Sequence, residues 1–335
     1  MKQLIVLLIV SLILNCSGKT KNPVLFAERI LLGEKSKIDS IDVIKLGTGT
    51  NFKFKGLAID VKNLTAYLGS YDKKEIVAVS LLNGAYEVIK TKYSGRLNGM
   101  GCYLKNNKLY AVMNEVEVAP DSKDNLIAAL LVIDITTKKL IHSYESKGIN
   151  GRNHFNHIVV DENGVAYISD TLKSSIYTVN TNNSKDTLKL LVEHKDLSWV
   201  HGIDLSADGN KLFTTSYGGG IKFFNLKTKT FSGYRDTILA GDDGLKYYKG
   251  FLYGVGQNMI KKYTLDHSEN KVIKTDTLIR NHEYFNDPRS LHIENGVLYC
   301  LANIEFEPVN FRSINETHRN TALTDSYLIK FNLIH

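Results

Sequence analysis

The strongest constraint on this sequence is a short hairpin pattern that recurs along the chain. In one clear copy, a polar start at Asn156-His157 leads into the apolar run 158–160, a turn covers residues 161–164, and a second apolar run covers residues 165–168. Turns that combine Asx residues with glycine favour a β-hairpin. Six copies can be aligned, and each opens on a polar residue: Lys55, Asn98, Asn156, His201, Asp243 and Arg289.

The spacing of the copies predicts the fold. Successive openings lie between 42 and 58 residues apart. A repeat of about 40–50 residues built on short strands is typical of propeller blades that contain four strands each. The apolar runs are rich in aromatic and β-branched residues and lack a sustained helical period, which indicates an all-β fold. We therefore predict a six-bladed β-propeller with four strands per blade.

The last blade needs one strand from elsewhere in the chain. Its inner hairpin covers residues 289–303 and its third strand covers residues 326–333, with no further strand after them. An open ring would leave unpaired strand edges on the first and last blades. We expect residues 41–46 to supply the outermost strand of the last blade and so to close the ring.

Residues 1–16 have the features of an export signal rather than of a folded domain. Lys2 gives a positive start, and the apolar run 4–14 is too short to span a bilayer. The run ends at Cys16 in a pattern similar to a bacterial lipoprotein signal. We expect a lipidated Cys16 to anchor the chain to a membrane of the bacterial cell envelope, on the periplasmic side or at the cell surface. An ordinary secretory signal with an incidental cysteine is the alternative.

The remaining sequence indicates one domain without a nucleic-acid module. We assign residues 17–40 to a tether and lead-in, and residues 41–335 to the propeller. The net charge is +7, but its lysines are spread thinly and no basic cluster carries interleaved aromatic residues. This charge is compatible with an anionic ligand or membrane surface. Cys102 and Cys300 fall in non-adjacent blades, so we expect buried free thiols. We also expect a monomer.

The blade geometry predicts where the six opening residues meet. In a propeller the first strand of every blade lines the central channel, and all six start on the same face. The opening residues should therefore converge at one mouth of the channel. We predict that Lys55, Asn98 and Arg289 bind a small, anionic ligand there. His318 joins this set because the long loop 305–325 returns to the same face, and long loops in compact domains are often functional.

Three of the opening residues are also sensible metal ligands. Asn156, His201 and Asp243 offer the oxygen and imidazole donors that a divalent cation prefers, which would be calcium, or zinc in view of His201. Lys55 opposes this interpretation, because a charged ammonium offers no lone pair and repels a cation. The alternative is a polar channel in which Lys55 forms a salt bridge with Asp243 and no cofactor is bound.

The six aligned openings resemble those of the regucalcin/gluconolactonase family of six-bladed propellers, also called the senescence marker protein family. The layout is similar to that of paraoxonases and strictosidine synthase-like proteins as well. The resemblance covers essentially all of residues 41–335. Each motif is short and would mean little alone. The resemblance is specific because all six copies align at equivalent positions of the repeat.

The resemblance implies a divalent cation, often calcium, at the channel mouth. In that family the ligands are a Glu in the first blade, an Asn at the third opening, an Asn at the fourth and an Asp at the fifth. Asn156 and Asp243 match this pattern. His201 replaces the fourth-blade Asn, and Lys55 replaces the first-blade Glu. His157 stands where an Asp often follows the third-blade Asn.

Two functions of different class follow. The resemblance implies a lactonase or esterase in which a metal binds the carbonyl oxygen of the substrate. Asp243 or His201 would be the general base that activates water. His157 and His318 are the further candidates for this role, because histidine titrates near physiological pH. The alternative is a non-catalytic propeller that uses the same mouth for a ligand or protein partner, with Lys55 in place of the cation.

Overall fold

The computed structural model describes residues 38, 40–47, 52–115, 127–149, 151–217, 220–234, 242–302 and 325–333. These residues belong to one compact unit, Ile38–His335. The predictions for the export signal, for Cys16, for most of the tether and for His318 lie outside the described residues.

The first three blades are regular and follow one another along the chain. Blade 1 contains β2 (Phe54–Asp60), β3 (Thr65–Ser70), β4 (Glu75–Ser80) and β5 (Tyr86–Ile89). Blade 2 contains β6 (Asn98–Lys105), β7 (Lys108–Asn114), β8 (Ala128–Asp134) and β9 (Lys139–Glu145). Blade 3 contains β10 (Phe155–Val160), β11 (Val165–Asp170), β12 (Ser175–Asn180) and β13 (Lys189–Glu193).

The other three blades complete the ring. A short 3-10 helix, Lys195–Leu197, leads into blade 4, which contains β14 (Val200–Leu205), β15 (Lys211–Ser216), β16 (Gly220–Asn225) and β17 (Phe231–Tyr234). Blade 5 contains β18 (Gly244–Tyr248), β19 (Phe251–Gly256), β20 (Met259–Leu265) and β21 (Val272–Arg280). Blade 6 contains β22 (Ser290–Glu294), β23 (Val297–Leu301), β24 (Ser326–Asn332) and β1 (Asp42–Leu46). Each blade is one four-stranded antiparallel sheet, so the predicted all-β, six-bladed propeller is confirmed.

The ring closes through an N-terminal strand, as the sequence predicted. β1 pairs antiparallel with β24, with Leu46 opposite Ser326 and Asp42 opposite Lys330. Leu46 is buried in an apolar cluster that also contains Phe54 of blade 1 and Leu328 of blade 6. The closing strand therefore pairs with the last blade and packs against the first blade at the same time.

The core lies between the blades. Six apolar clusters are present among the described residues, and each contains residues of two adjacent blades. The inner strands are the most buried, as in β2, where every residue is buried, whereas the outermost strand β5 is largely exposed. Burial of apolar surface between neighbouring sheets is the main stabilising contribution.

Bulges at the start of the inner strands determine which side chains reach the channel. The pairing of β10 with β11 shifts register between Phe155 and Ile158, at the position of Asn156 and His157. The pairing of β14 with β15 shifts in the same way around His201. A bulge places an extra residue in one strand and turns the local side chains. Consecutive polar residues can therefore lie at the end of the channel where the inner strands begin, which we call the mouth.

The glycines next to the openings allow the inner strands to approach one another closely. A Cβ atom on Gly56 would lie 1.8 Å from the carbonyl oxygen of Met100, and one on Gly101 would lie 2.5 Å from that of Asn156. Real side chains cannot occupy such positions, so these sites need glycine. The recurrence of glycine after the opening residues thus has a packing cause.

The two cysteines of the propeller lie on strands β6 and β23. Cys102 and Cys300 are buried free thiols, as predicted, and burial raises the pKa of Cys102 to about 12. Such thiols are unreactive, because the thiolate is the nucleophilic form.

Within the described ranges, none of the helical segments has the length and the apolar composition that a membrane-spanning helix requires.

The closing strand should contribute strongly to stability. Leu46 is 1% exposed, so we expect Leu46→Ala to lower the free energy of unfolding by about 2–5 kcal/mol through the lost burial and the cavity left behind. Val43 lies on the same strand and is 38% exposed, so Val43→Ala should change stability by no more than about 0.5 kcal/mol. Urea unfolding measures both variants. Deletion of residues 42–46 should abolish the cooperative transition, and an unchanged melting curve would contradict the role of this strand.

Candidate functional site

Four charged or titratable side chains from four blades surround the carboxylate of Asp243 at the mouth. Arg289 donates from Nη1 to Asp243 Oδ2 over 2.8 Å. Lys55 Nζ lies 4.0 Å from Oδ1, which is an ionic contact longer than a hydrogen bond. His157 Nε2 lies 3.4 Å from Oδ1, and His201 Nδ1 lies 3.3 Å from Oδ2. We call these five residues the Asp243 cluster.

Tyr217 and Asp287 extend the cluster outward. The hydroxyl of Tyr217 donates to Asp243 Oδ2 over 3.1 Å, and its ring packs edge-on against His201 with centroids 4.4 Å apart. Asp287 accepts from Nε of Arg289 over 2.8 Å and from Nη2 of the same side chain. Arg289 therefore bridges two carboxylates, a buried one at Asp243 and a solvent-exposed one at Asp287.

The charges of the cluster follow from burial and from these contacts. Burial disfavours the charge of Asp243, but His201, Lys55 and Arg289 together hold its pKa well below the usual range. Burial lowers the pKa of Lys55 to about 8, although Asp243 opposes the shift. Burial also lowers the pKa of His201 to about 3, and it lowers the pKa of His157. Near pH 7 the site therefore has an ionised Asp243, a mostly charged Lys55 and neutral imidazoles.

A hydrogen-bonded chain orients Asn156 toward His201. The hydroxyl of Thr171 donates to the carbonyl of Val200 over 2.8 Å, so it accepts from Nδ2 of Asn156, which is also 2.8 Å away. The amide nitrogen then lies 3.2 Å from His201 Nδ1. That ring nitrogen accepts from Asn156 in one tautomer and donates to Asp243 in the other. A ligand that bonds to Nε2 would select between the two tautomers.

Several buried polar atoms at the mouth have no hydrogen-bond partner within the described part of the chain. They are Oδ1 of Asn98, Oδ1 of Asn156 and Nε2 of His201. Buried polar atoms are nearly always paired in folded proteins, so each such atom requires an explanation. Their occurrence at the starts of three inner strands indicates a place where a ligand or water molecules bind.

The charges around Asp243 disfavour a divalent cation. Of the predicted ligands, Asn156 and His201 retain donor atoms that suit a metal, but Asp243 is engaged by Arg289 and by Lys55. Both cations would repel a metal ion on the same carboxylate. Among the residues that the structure describes, no group of three or more His, Cys, Asp or Glu side chains is arranged to hold a metal ion.

A second buried ion pair holds the segment that carries Asp243. The ammonium of Lys261 lies 2.5 Å from Asp242 Oδ1, and both side chains are essentially inaccessible to solvent. The hydroxyl of Tyr263 donates to Asp242 Oδ2 over 2.5 Å. Asp243 itself donates its backbone N–H to Val255 over 2.8 Å. These contacts fix the backbone of residues 242–243 and thereby orient the Asp243 carboxylate toward the channel.

The structure brings most of the sequence-predicted residues together. Lys55, His157, His201, Asp243 and Arg289 form the Asp243 cluster, and Asn156 is bonded to it through His201. The salt bridge between Lys55 and Asp243, one of the two alternatives, is present. The functional roles assigned to these residues stay predictions.

One predicted residue lies apart, and two contributors were missed. The amide of Asn98 donates to the carbonyl of Tyr71 over 2.5 Å instead of bonding to the Asp243 cluster. Neither Tyr217 nor Asp287 was among the residues predicted from the sequence. A tyrosine directly before a glycine-rich turn on the mouth face was the available signal for Tyr217. No comparable signal marked Asp287.

We expect the buried pair beneath Asp243 to be necessary for stability. Lys261→Met leaves Asp242 as an uncompensated buried charge, which should cost about 3–5 kcal/mol. The double variant Lys261→Met/Asp242→Asn removes both charges and should recover most of this loss. Lys262→Met is the matched control on the same strand, since Lys262 lies over the ring of Phe251 and should cost no more than about 1 kcal/mol. Denaturant unfolding of the unmodified chain and of the three variants measures these free energies. Equal losses of stability in Lys261→Met and Lys262→Met would contradict the role of the buried pair.

Known structures share this fold at low sequence identity. The major allergen Mala s 1 of Malassezia sympodialis is 12% identical with a TM-score of 0.64, over 87% of this chain and 96% of that chain. A gluconolactonase of Xanthomonas campestris is 10% identical with a TM-score of 0.57, over 88% and 91%. The calcium-binding protein regucalcin of Agrobacterium tumefaciens is 16% identical with a TM-score of 0.56, over 88% and 96%.

No protein-family model matches the chain, and no curated protein matches it. At these identities the solved structures establish a shared fold and nothing about the site. What the chain shares with the gluconolactonase and regucalcin structures is therefore the β-propeller fold.

Proposed function

We propose that the mouth binds a small organic anion through Lys55 and Arg289, without a resident metal. The observation that carries this proposal is the presence of two cationic side chains on one buried carboxylate, Asp243. Asp287 is the second carboxylate near Arg289, but it is 42% exposed and therefore screened by solvent. The buried part of the mouth thus has an excess of one positive charge.

The neutral groups of the mouth complement this charge. The Asn98 and Asn156 carbonyl oxygens can accept from ligand hydroxyl groups, and the neutral rings of His157 and His201 can donate or accept. A ligand with a carboxylate and neighbouring hydroxyl groups would satisfy these atoms. The net charge of +7 on the chain would also attract an anion from solution.

Hydrolysis of a lactone or ester is a second candidate, and the contact between His157 and Asp243 favours it. His157 is neutral and partly accessible, and its Nε2 faces the Asp243 carboxylate, so Nδ1 is the nitrogen that can take a proton from an attacking water molecule. Asp243 lies 3.4 Å from Nε2 and would stabilise the imidazolium that forms. Lys55 and Arg289 would stabilise the negative charge that develops on the carbonyl oxygen. The product would be a hydroxy acid, which belongs to the class of anion that the mouth suits.

Anion binding should depend on both cations and on pH. In NMR titrations with small carboxylates, Lys55→Met or Arg289→Gln should weaken binding by at least about tenfold, the value of one charge-assisted hydrogen bond. Lys45→Gln, an exposed lysine on β1, is the control. Affinity should fall as the pH rises through about 8, because Lys55 then loses its proton. Lys55→Arg keeps the charge and should remove this dependence. A flat profile in the unmodified chain would contradict the role of Lys55.

The hydrolytic candidate has its own test. With a panel of lactones and aryl esters, His157→Gln should lower kcat by at least about 100-fold if His157 is the general base. His142→Gln, on the outer strand of blade 2, should leave the rate unchanged. Activity should survive chelation. Activity that is lost with a chelator and restored by calcium or zinc would instead support the metal-dependent mechanism on Asn156, His201 and Asp243.

The same proposal includes attachment to the cell envelope. The support is the apolar run that ends at Cys16, which lies outside the described residues. Lipid attachment at Cys16 would hold the propeller at a membrane surface, where it would meet small ligands. Membrane fractionation of the full chain and of Cys16→Ser tests this point, and equal distribution of the two proteins would contradict it.

A further inference from the structure

Three exposed apolar side chains lie on the connections around the mouth. Leu172 follows β11, Trp199 immediately precedes β14, and Tyr217 immediately follows β15. Their exposed fractions are 54%, 44% and 37%. All three connections belong to the face on which the inner strands begin. We call these residues the apolar rim.

Two contacts hold the backbones of the rim close together. The hydroxyl of Thr171, the residue before Leu172, donates to the carbonyl of Val200, the residue after Trp199, over 2.8 Å. The backbone N–H of Tyr217 donates to the carbonyl of Trp199 over 3.3 Å. Single exposed apolar residues are common and carry no information, but a group of them at one place indicates a binding surface.

Trp199 is also held in an unfavourable backbone conformation. Its φ is +57°, in the left-handed region, and it is the only aromatic residue with a positive φ in the described ranges. For a bulky side chain this conformation is unusual, and such strain is typical of functional sites. Glycine or asparagine would fit the same backbone at lower cost. Core packing does not explain a tryptophan here, because the side chain is nearly half exposed.

Tyr217 connects the apolar rim to the Asp243 cluster. Its hydroxyl donates to Asp243, and its ring packs against His201, the second residue after Trp199. Tyr217 therefore lies at the mouth itself, and Trp199 is joined to it by the backbone hydrogen bond described above. A ligand that reaches Lys55 and Arg289 with an anionic end would have its remaining part beside the rim.

We propose that the apolar rim binds the ring of a ring-bearing carboxylate, with Trp199 as the residue that determines specificity for the ring. This inference rests on the proposed anion-binding function and adds the class of ligand to it. Aromatic side chains bind flat or apolar ring faces, including the faces of planar aromatic rings and of pyranose sugars. The carboxylate of the same ligand would meet Lys55 and Arg289.

Three probes distinguish the contributions of ring and charge. Acetate has the carboxylate alone, phenylacetate adds a planar aromatic ring, and glucuronate adds a pyranose ring. At least one ring acid should bind about tenfold more tightly than acetate, which is the usual effect of one aromatic stacking contact. The ring acid that binds more tightly, phenylacetate or glucuronate, shows whether the rim prefers a planar aromatic ring or a pyranose ring. Ring acids that bind no better than acetate would overturn the inference while leaving the anion-binding function intact.

Substitution of Trp199 tests the residue itself. Trp199→Gly preserves the left-handed backbone, and it should lower the ratio of ring-acid affinity to acetate affinity by about tenfold. Trp199→Phe should restore part of that ratio. Leu190→Ala, an exposed residue on the outer strand of blade 3, is the control that should leave the ratio unchanged. An unchanged ratio in Trp199→Gly would overturn the assignment.

The unmodified chain provides a readout that needs no variant. Trp199 is the only tryptophan in the sequence, so indole fluorescence reports on this position alone. The ring acid should change the emission, and acetate at equal saturation should not. Equal responses to both would contradict the assignment. If none of the three probes binds, the proposed anion-binding function fails, and the failure is distinguishable from loss of ring selectivity.

Discussion

The whole site depends on closure of the ring by the pairing of β1 with β24. The residues of the Asp243 cluster come from five blades, and none of the inner strands is paired in a sheet with the inner strand of another blade. Their relative positions are fixed only because each blade packs on two neighbours. β1 is the strand that joins the last blade to the first, through Leu46. Beside this strand, the hydroxyl of Ser290 donates to the carbonyl of Lys55, so the position next to Arg289 in blade 6 is bonded directly to blade 1.

At the mouth, the balance of charge on Asp243 dominates the chemistry. A single buried carboxylate would be costly by itself, and the ionic contacts with Arg289 and Lys55 offset that cost. The same contacts replace the attraction that a metal ion would otherwise supply.

Much of the fold could be predicted from the sequence, because each blade is a local unit with its own turn chemistry and strand pattern. The closing strand was predictable from the unpaired edges that an open ring would leave. The convergence of Lys55, Asn156, His201, Asp243 and Arg289 at one mouth also followed, since these residues occupy equivalent positions in the repeat. The contribution of Tyr217 did not follow, because its contact with Asp243 joins blades 4 and 5 and depends on side-chain direction. The hydrogen bond from the Asn98 side chain to the carbonyl of Tyr71 could not be predicted either, because it also depends on side-chain direction.

The sequence by itself determined the repeat, the number of blades and the set of polar residues at the channel mouth, because these depend on periodicity and on local turns. Only the tertiary structure decided which of those residues contact one another and in which charge state. Burial lowers the pKa of Lys55 and of both histidines, and burial is a property of the packed ring rather than of any one blade. The tertiary structure also placed Trp199 beside Tyr217, because a contact between separate connections cannot be read from either one alone.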